Sequence, residues 1–539
     1  MFYHIAFILL LSTLPSPSFA ASIVRGPYPR SSNQGPSTVV GPVTDLNIVN
    51  KVIAPDGFER SATLAGGTFP GPIIKANIGD HFSVNVHNQL VDNSMPKVTS
   101  IHWHGIFQHG TSYADGTSSV TQCPITANHS FQYNFDVPDQ SGTYWYHSHF
   151  STQYCDGLRG PLVIYDPNDP LAYMYDVDDE TTIITLADWY HDPSSELNQI
   201  NGAVTANSTL INGLGRYPGG PASALAVVNV QQGKRYRFRL ISMSCDPNFI
   251  FSIDGHNMTV IEADGIETEP VEVDSIQIFS AQRYSVVFTA NQPVDNYWIR
   301  AESNLPNQTF AGGLNSAILR YNGAPALDPT TESTIQNLLV ESDLHPLINP
   351  GAPGIPEIGK ADININFDID LLPSGLFTMN SASFVTPAAP VLLQILSGSQ
   401  HPMNLLPAGS VYTLEPNKTV EISVPYSASA LGGPHPMHLH GHTFDVIRTS
   451  GNSTPNFVNP VRRDTVSLGG NPGDNVTFRF VTDNFGPWFF HCHIDWHLNK
   501  GFAVVMAEAP KEIKNHSSSV PAAWDELCPL YDGLTGAQQ

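Results

Sequence analysis

Short runs in which apolar and polar residues alternate recur along most of this chain. His81-Phe82-Ser83-Val84-Asn85-Val86 and Phe131-Gln132-Tyr133-Asn134-Phe135 are two, set apart by turn-forming stretches such as Asp139-Gln140-Ser141-Gly142. A period of two is that of a strand with one face on a core. Further strands are expected at 161–165, 182–186, 235–240, 284–288, 316–321, 475–480 and 502–506, and helix only in a minor role, at 522–531. The pattern breaks twice: at Asp166-Pro167-Asn168-Asp169-Pro170, and over the Pro-, Ala- and Thr-rich residues 323–334. Three blocks follow, 41–170, 171–340 and 341–539. The expected class is all-β, as three consecutive sandwiches or barrels.

Composition fits that picture. Among 539 residues, 44 Pro and 42 Gly interrupt long helices, while 41% hydrophobic against 13% charged residues supports sizeable cores. The net charge of −24, with no Lys/Arg cluster, argues against a nucleic-acid face. No apolar run reaches the roughly 20 residues of a membrane helix. A monomer is expected. The apolar run Ile5–Leu14, followed by Pro15, Pro17 and Ser18-Phe19-Ala20, reads as a secretion signal over 1–20. Residues 21–40 read as a flexible leader or propeptide. Asn-x-Ser/Thr sequons at Asn128, Asn207, Asn257, Asn307, Asn417, Asn452, Asn475 and Asn515 fit a secreted glycoprotein. Five cysteines leave one free or ligand-bound, and the other four allow three pairings.

The candidate chemistry centres on His491-Cys492-His493-Ile494-Asp495-Trp496-His497. On a strand, neighbouring side chains point to opposite faces, so Cys492 would face away from both His491 and His493. One strand could then serve two metal sites back to back. Three other His-x-His pairs occur, at His102/His104, His147/His149 and His438/His440. Two of the four pairs lie in the first block and two in the third, so a shared site would sit between those blocks. Neutral imidazoles suit copper better than calcium or magnesium. Zinc stays open for any single pair, but no short Cys-x-x-Cys or His-Glu-x-x-His motif supports it. His435, Cys492 and His497 make up the His₂Cys set of an electron-transfer copper.

His102-Trp103-His104-Gly105, His147-Ser148-His149, His435-Pro436-Met437-His438-Leu439-His440-Gly441-His442 and the 491–497 stretch resemble the four copper signatures of multicopper oxidases, and most closely those of fungal laccases. The resemblance runs from about Gly41 to Cys528. It implies a cupredoxin-like Greek-key fold in each block and four copper ions per chain. His435, Cys492 and His497 would bind a type 1 copper. His102 and His438 would bind type 2, and His104, His147, His149, His440, His491 and His493 a type 3 pair. His442 matches no ligand position. Phe502 occupies the axial position, where it cannot ligate; loss of an axial thioether favours Cu(I) and raises the potential.

By the same resemblance, Asp246 would accept a phenol proton as the electron leaves toward His497, with Asn304 lining the same pocket. Asp115 and Asp495 would assist proton delivery, and Cys123–Cys528 and Cys155–Cys245 would be disulfides. The implied activity is that of a secreted laccase, oxidising small phenolic and aromatic donors with O₂ reduced to water. Lignin phenols, pigment precursors and toxic aromatics all fit. A ferroxidase is the enzymatic alternative, and would need carboxylates near His497 beyond Asp246 and Glu302. A copper-storage protein is the non-enzymatic one, but it would have no use for an electron path through Cys492.

Overall fold

The structure is a computed structural model, and it describes residues 38–199, 202–305, 308–516 and 520–535. The expected signal segment, residues 21–37 of the leader and the sequon at Asn307 lie outside the described residues. Val39 and Val40, the last leader residues, already pair in parallel with Ile73 and Ile74.

Sheets dominate each block. In the first, a five-stranded sheet ordered Val39–Val40, Ile73–Asn77, Arg159–Tyr165, Gly142–Ser148, Ile101–His104 is joined by a four-stranded one, Arg60–Ala65, Val43–Ile53, His81–Asn88, Ser130–Asp136. Side chains from both sheets share one core. The second block has a seven- and a five-stranded sheet; the third has two of five strands and the hairpin Ile369–Leu371/Phe377–Met379. Strands distant in sequence pair in parallel, as Val43–Ile53 does with His81–Asn88, so the chain crosses between sheets. Described helices are short. Ala522–Asp525 and Leu527–Asp532 fall where helix was expected, while Val391–Leu396 was not anticipated. No described helix is long and apolar enough to cross a membrane.

Alternation is realised on the outer strands. In His81–Asn88, Phe82, Val84 and Val86 are buried and the residues between them are not. The strands Ile101–His104, Gly142–Ser148 and Gly486–Cys492 are buried throughout, covered on both faces. Trp103, Trp145 and Trp488 anchor them, fully buried. Each such ring contributes roughly 3–5 kcal/mol of transfer free energy, which fixes the strand that carries it.

Disulfides Cys123–Cys528 and Cys155–Cys245 tie the first block to the C-terminal end and to the second block. Buried charge completes the seams. Glu262 accepts from Thr143 N at 2.7 Å and pairs with Arg237 at 2.6 Å. Asp464 of the third block pairs with Arg283 of the second at 2.5 Å.

Candidate metal centre

Strand register brings the histidines together. In the first block Ile101–His104 runs antiparallel to Gly142–Ser148, with His102 directly opposite His147. In the third, Pro436–Leu439 runs antiparallel to Gly486–Cys492, with His438 opposite His491 and Met437 opposite Cys492. The two pairs meet across the seam between the blocks. His102 stacks on His440 with ring centroids 4.0 Å apart, and His104 on His438 at 3.8 Å. Among the described residues, ligand atoms lie within 4.8 Å of one another in His102/His104/His438, His104/His147/His493 and His149/His440/His491. All eight histidines of the four pairs are therefore in one buried chamber.

Their tautomers are fixed from behind. Nδ1–H of His102 donates to Asp115 O (2.8 Å), that of His147 to Ser148 O (2.8 Å), that of His438 to Asp464 O (2.9 Å) and that of His491 to Cys492 O (2.9 Å). His440 Nδ1 meets the Asp115 carboxylate at 3.0 Å. Each such bond leaves Nε2 as a lone pair facing the chamber. Nε2 of His102, His147, His149, His438 and His493, and Nδ1 of His104, are buried with no protein hydrogen-bond partner. The Nε2 atoms of His440 and His491 face each other at 3.0 Å. Buried unmet acceptors cost about 1–3 kcal/mol each, so this convergence fits bound cations. Burial, then the neighbouring imidazoles, pushes His147, His149, His440 and His493 well below the usual histidine range. They are neutral, the form that binds metal.

The turn at Asp115 shows how the local sequence serves the site. Gly116 has φ +83°, and a Cβ there would stand 1.7 Å from Ile101 O. Only glycine lets this turn press against the His102 strand. Asp115 is buried; burial raises its carboxyl, but His102 and Thr117 more than offset this and hold it below the usual range.

Cys492 faces the other way. Its Sγ lies 3.9 Å from His435 Nδ1 and 3.8 Å from His497 Nδ1, and these two nitrogens are 3.2 Å apart. Burial pushes the free Cys492 thiol up, and lowers His435 to about 4. A cation would be needed to hold the sulfur as thiolate. Phe502 is buried against this set, its ring 5.1 Å from that of His435 and stacked on Phe377 at 4.8 Å. His497 is only half-buried. A Cβ on Gly432 would come within 2.9 Å of its Nε2, so a bare backbone covers this imidazole.

Asp246 follows Cys245, whose carbonyl accepts from Asp495 N at 2.8 Å; this fixes the Asp246 turn against the helix Asp495–Leu498, which carries His497. Burial, and then the charge of Asp188, raises the Asp246 carboxyl to about 7. Asn304 is exposed and accepts from Asn248 N at 3.2 Å, beside the same turn. Asp495 is buried, and burial with Asp188 pushes its carboxyl well above the usual range. His442 lies outside the clustered groups, 3.1 Å from Glu508.

Several residues that shape the site escaped the sequence reading. Asp188 accepts from Cys245 N, Asp246 N and Tyr190 OH, and so builds the Asp246 turn. Tyr154 OH and Ser280 Oγ lie 3.3 and 3.4 Å from His493 Nδ1. Asp464 sits 3.4 Å from His104 Nε2. None belongs to a local motif.

Known proteins place these features in a family. Three multicopper oxidase profiles match residues 47–169, 180–324 and 384–512. The chain is 58% identical to Laccase-2 of Pleurotus ostreatus, over 93% of this chain and 95% of the relative. It is also 58% identical to Laccase-5 of Trametes villosa, over 92% and 94%. Among solved structures, the laccase from Botrytis aclada superposes with a TM-score of 0.80 at 31% identity, covering 95% of this chain and 96% of that one. Fet3p, described as a multicopper oxidase that functions in iron import, gives 0.79 at 29%, covering 92% and 95%. With three cupredoxin-type blocks and laccase relatives matched over nearly their whole length, the chain belongs to the multicopper oxidases and is a copper-dependent oxidoreductase of the laccase type.

Proposed function

We propose that the chain is a secreted, monomeric laccase, built as blocks 41–170, 171–340 and 341–539, that oxidises small phenols and related aromatics with O₂ and uses four copper ions. His435, Cys492 and His497 would hold the type 1 ion. His102 and His438 would hold type 2, and His104, His147, His149, His440, His491 and His493 the type 3 pair. Bound copper supplies one-electron oxidation of the donor at the thiolate set and reduction of O₂ at the imidazole chamber.

The chain's own residues supply the rest. Cys492 is covalently continuous with His491 and His493, so one stretch of main chain joins the donor side to the chamber. The half-buried His497 offers the donor an imidazole edge. Asp246 takes the phenol proton at its carboxylate as the electron leaves, which avoids a high-energy radical cation, and Asn304 helps to orient the ring. Phe502, packed against His435, would leave that flank of the thiolate set apolar and without a further ligand. Asp495, whose carboxyl is raised by burial and Asp188, would hold a proton for delivery to the chamber, where water formation consumes it, and the Asp115 carboxylate would assist that delivery. Asp115 also fixes the His102 and His440 rings.

The observation that carries this reading is the back-to-back register: Cys492 opposite Met437 with its sulfur between His435 and His497, and His491 opposite His438 inside the chamber. The ferroxidase reading has less support. Among the described residues, no carboxylate joins a clustered group with His497, and relatives at 58% identity are laccases. Turnover of a methoxyphenol and of Fe²⁺, compared while O₂ uptake is recorded, tests the assignment. Faster phenol turnover is expected; faster iron turnover would overturn it.

A further inference from the structure

A pocket that Asp246 does not line reaches the thiolate site at His435. Its volume is about 190 Å³, enough for a single aromatic ring, and its walls include Ser427, Ala430, Gly432, Gly433, His435 and Gly470. Neither Asp246, Asn248, Asn304 nor His497 lines it. Apolar side chains, Ile369, Leu431 and Leu468 among them, complete the lining. A Cβ on Gly433 would approach the His435 ring to 3.1 Å, so only a glycine stands between the cavity and that imidazole. His435 Nε2–H donates to Ala430 O at 3.1 Å, and Ala430 is itself part of the wall.

The pocket also has an exit for a proton. Ser427 Oγ and Ser429 Oγ are 2.8 Å apart, and Ser429 Oγ–H donates to the carboxylate of Asp370. With Ser427 donating to Ser429, the Ser427 oxygen is left to accept from a ligand. Asp370 is exposed, so the chain of hydroxyls ends in solvent.

We propose that this cavity is a second donor site, which takes a single-ring phenol and delivers its electron through His435 rather than His497. The proposal rests on the laccase reading above. In the step, the phenol O–H bond breaks. Its proton passes to Ser427, the Ser427 proton to Ser429, and the Ser429 proton to Asp370. One electron leaves the ring through the His435 imidazole toward the oxidant that the established activity supplies, ultimately O₂. A phenoxyl radical remains. A two-ring donor, larger than the ring this volume suits, is expected on the His497 side.

The two routes separate in an Asp246→Asn background. Binding is read by fluorine NMR of 4-fluorophenol added to anaerobic, fully reduced holoenzyme, in which no turnover competes. The Asp246→Asn enzyme should still broaden the signal, and adding Gly470→Leu should remove at least half of that broadening. Gly470 has open space where a Cβ would stand, so the change is sterically admissible. Ser427→Ala, which deletes one oxygen, should then lower residual turnover of 4-fluorophenol at least fivefold more than that of a two-ring bisphenol. Unchanged broadening with Gly470→Leu, or equal losses for both phenols with Ser427→Ala, overturns the second site. A wild-type enzyme that oxidises neither phenol would instead sink the reading on which it rests.

Discussion

The two faces of the strand Gly486–Cys492 present two metal-binding sets in opposite settings, imidazoles alone on one and a thiol with two imidazoles on the other. On the chamber side, eight imidazoles come from two blocks, are buried, and are mostly held by hydrogen bonds from behind. On the sulfur side, three ligands come from one block, and His497 is half-buried beneath a glycine backbone. The chamber is built for rigidity and enclosure, as a site for a small gas molecule requires. The sulfur side trades enclosure for access, as a site for varied donors requires. The difference therefore lies in burial and buttressing as well as in the Cys492 sulfur, which the chamber lacks.

The sharpest way to break the comparison is to disable one face alone. His491→Ala should reduce O₂ uptake to background while the visible band of the sulfur site persists; simultaneous loss of both would mean the faces are not separable. Next in size, Asp246→Asn should lower phenol turnover on the order of a hundredfold, with little effect on donors that have no ionisable proton. Because burial and Asp188 raise its carboxyl to about 7, Asp246 is mostly protonated below that pH and becomes an acceptor above it. The ratio of wild-type to variant turnover on phenols should therefore climb from pH 5 to 8. A flat ratio would remove Asp246 from the proton transfer.

Asp115→Asn strikes the support of the chamber and not its ligands. A loss of about 10–100-fold in O₂ uptake is expected, with the visible band retained. Asn484→Ala is smaller. Its amide donates to Phe107 O at 2.6 Å in the first block and to Gly441 O at 2.9 Å in the third. Losing this clasp should cost about 1–3 kcal/mol and be seen as a lower thermal midpoint. The mildest effect belongs to acid. Burial pushes Glu262 up, but Arg237 and Arg239 outweigh it and hold the carboxyl at about 2, below its ordinary 4.5. A depressed carboxyl stabilises the fold above its unfolded-state value, so this contribution is complete above about 4.5 and lost as pH falls toward 2. Thermal midpoints should fall through that window, and less so for Glu262→Gln.

What the sequence disclosed follows from the range of its signals. Alternation is local, so strands such as Ser130–Asp136 and Ser316–Tyr321 stand out, as do the His-x-His pairs. The back-to-back geometry needed only the two-residue period of a strand. The buried ion pairs behave differently. Arg283 and Asp464 lie 181 residues apart, and nothing near either announces the other. Asp188 is likewise invisible from the sequence around Asp246, although it builds that turn. The helix Val391–Leu396 is six apolar and polar residues after Pro390, too short for helical periodicity to register.

The central claim is that one strand serves two metal sites, and Cys492→Ser with copper analysis and a visible spectrum tests it most directly. The account predicts four coppers and a blue band in the wild type. In the variant it predicts three coppers, no band and no phenol oxidation. A variant that keeps the band, or that loses copper from the chamber as well, would contradict it.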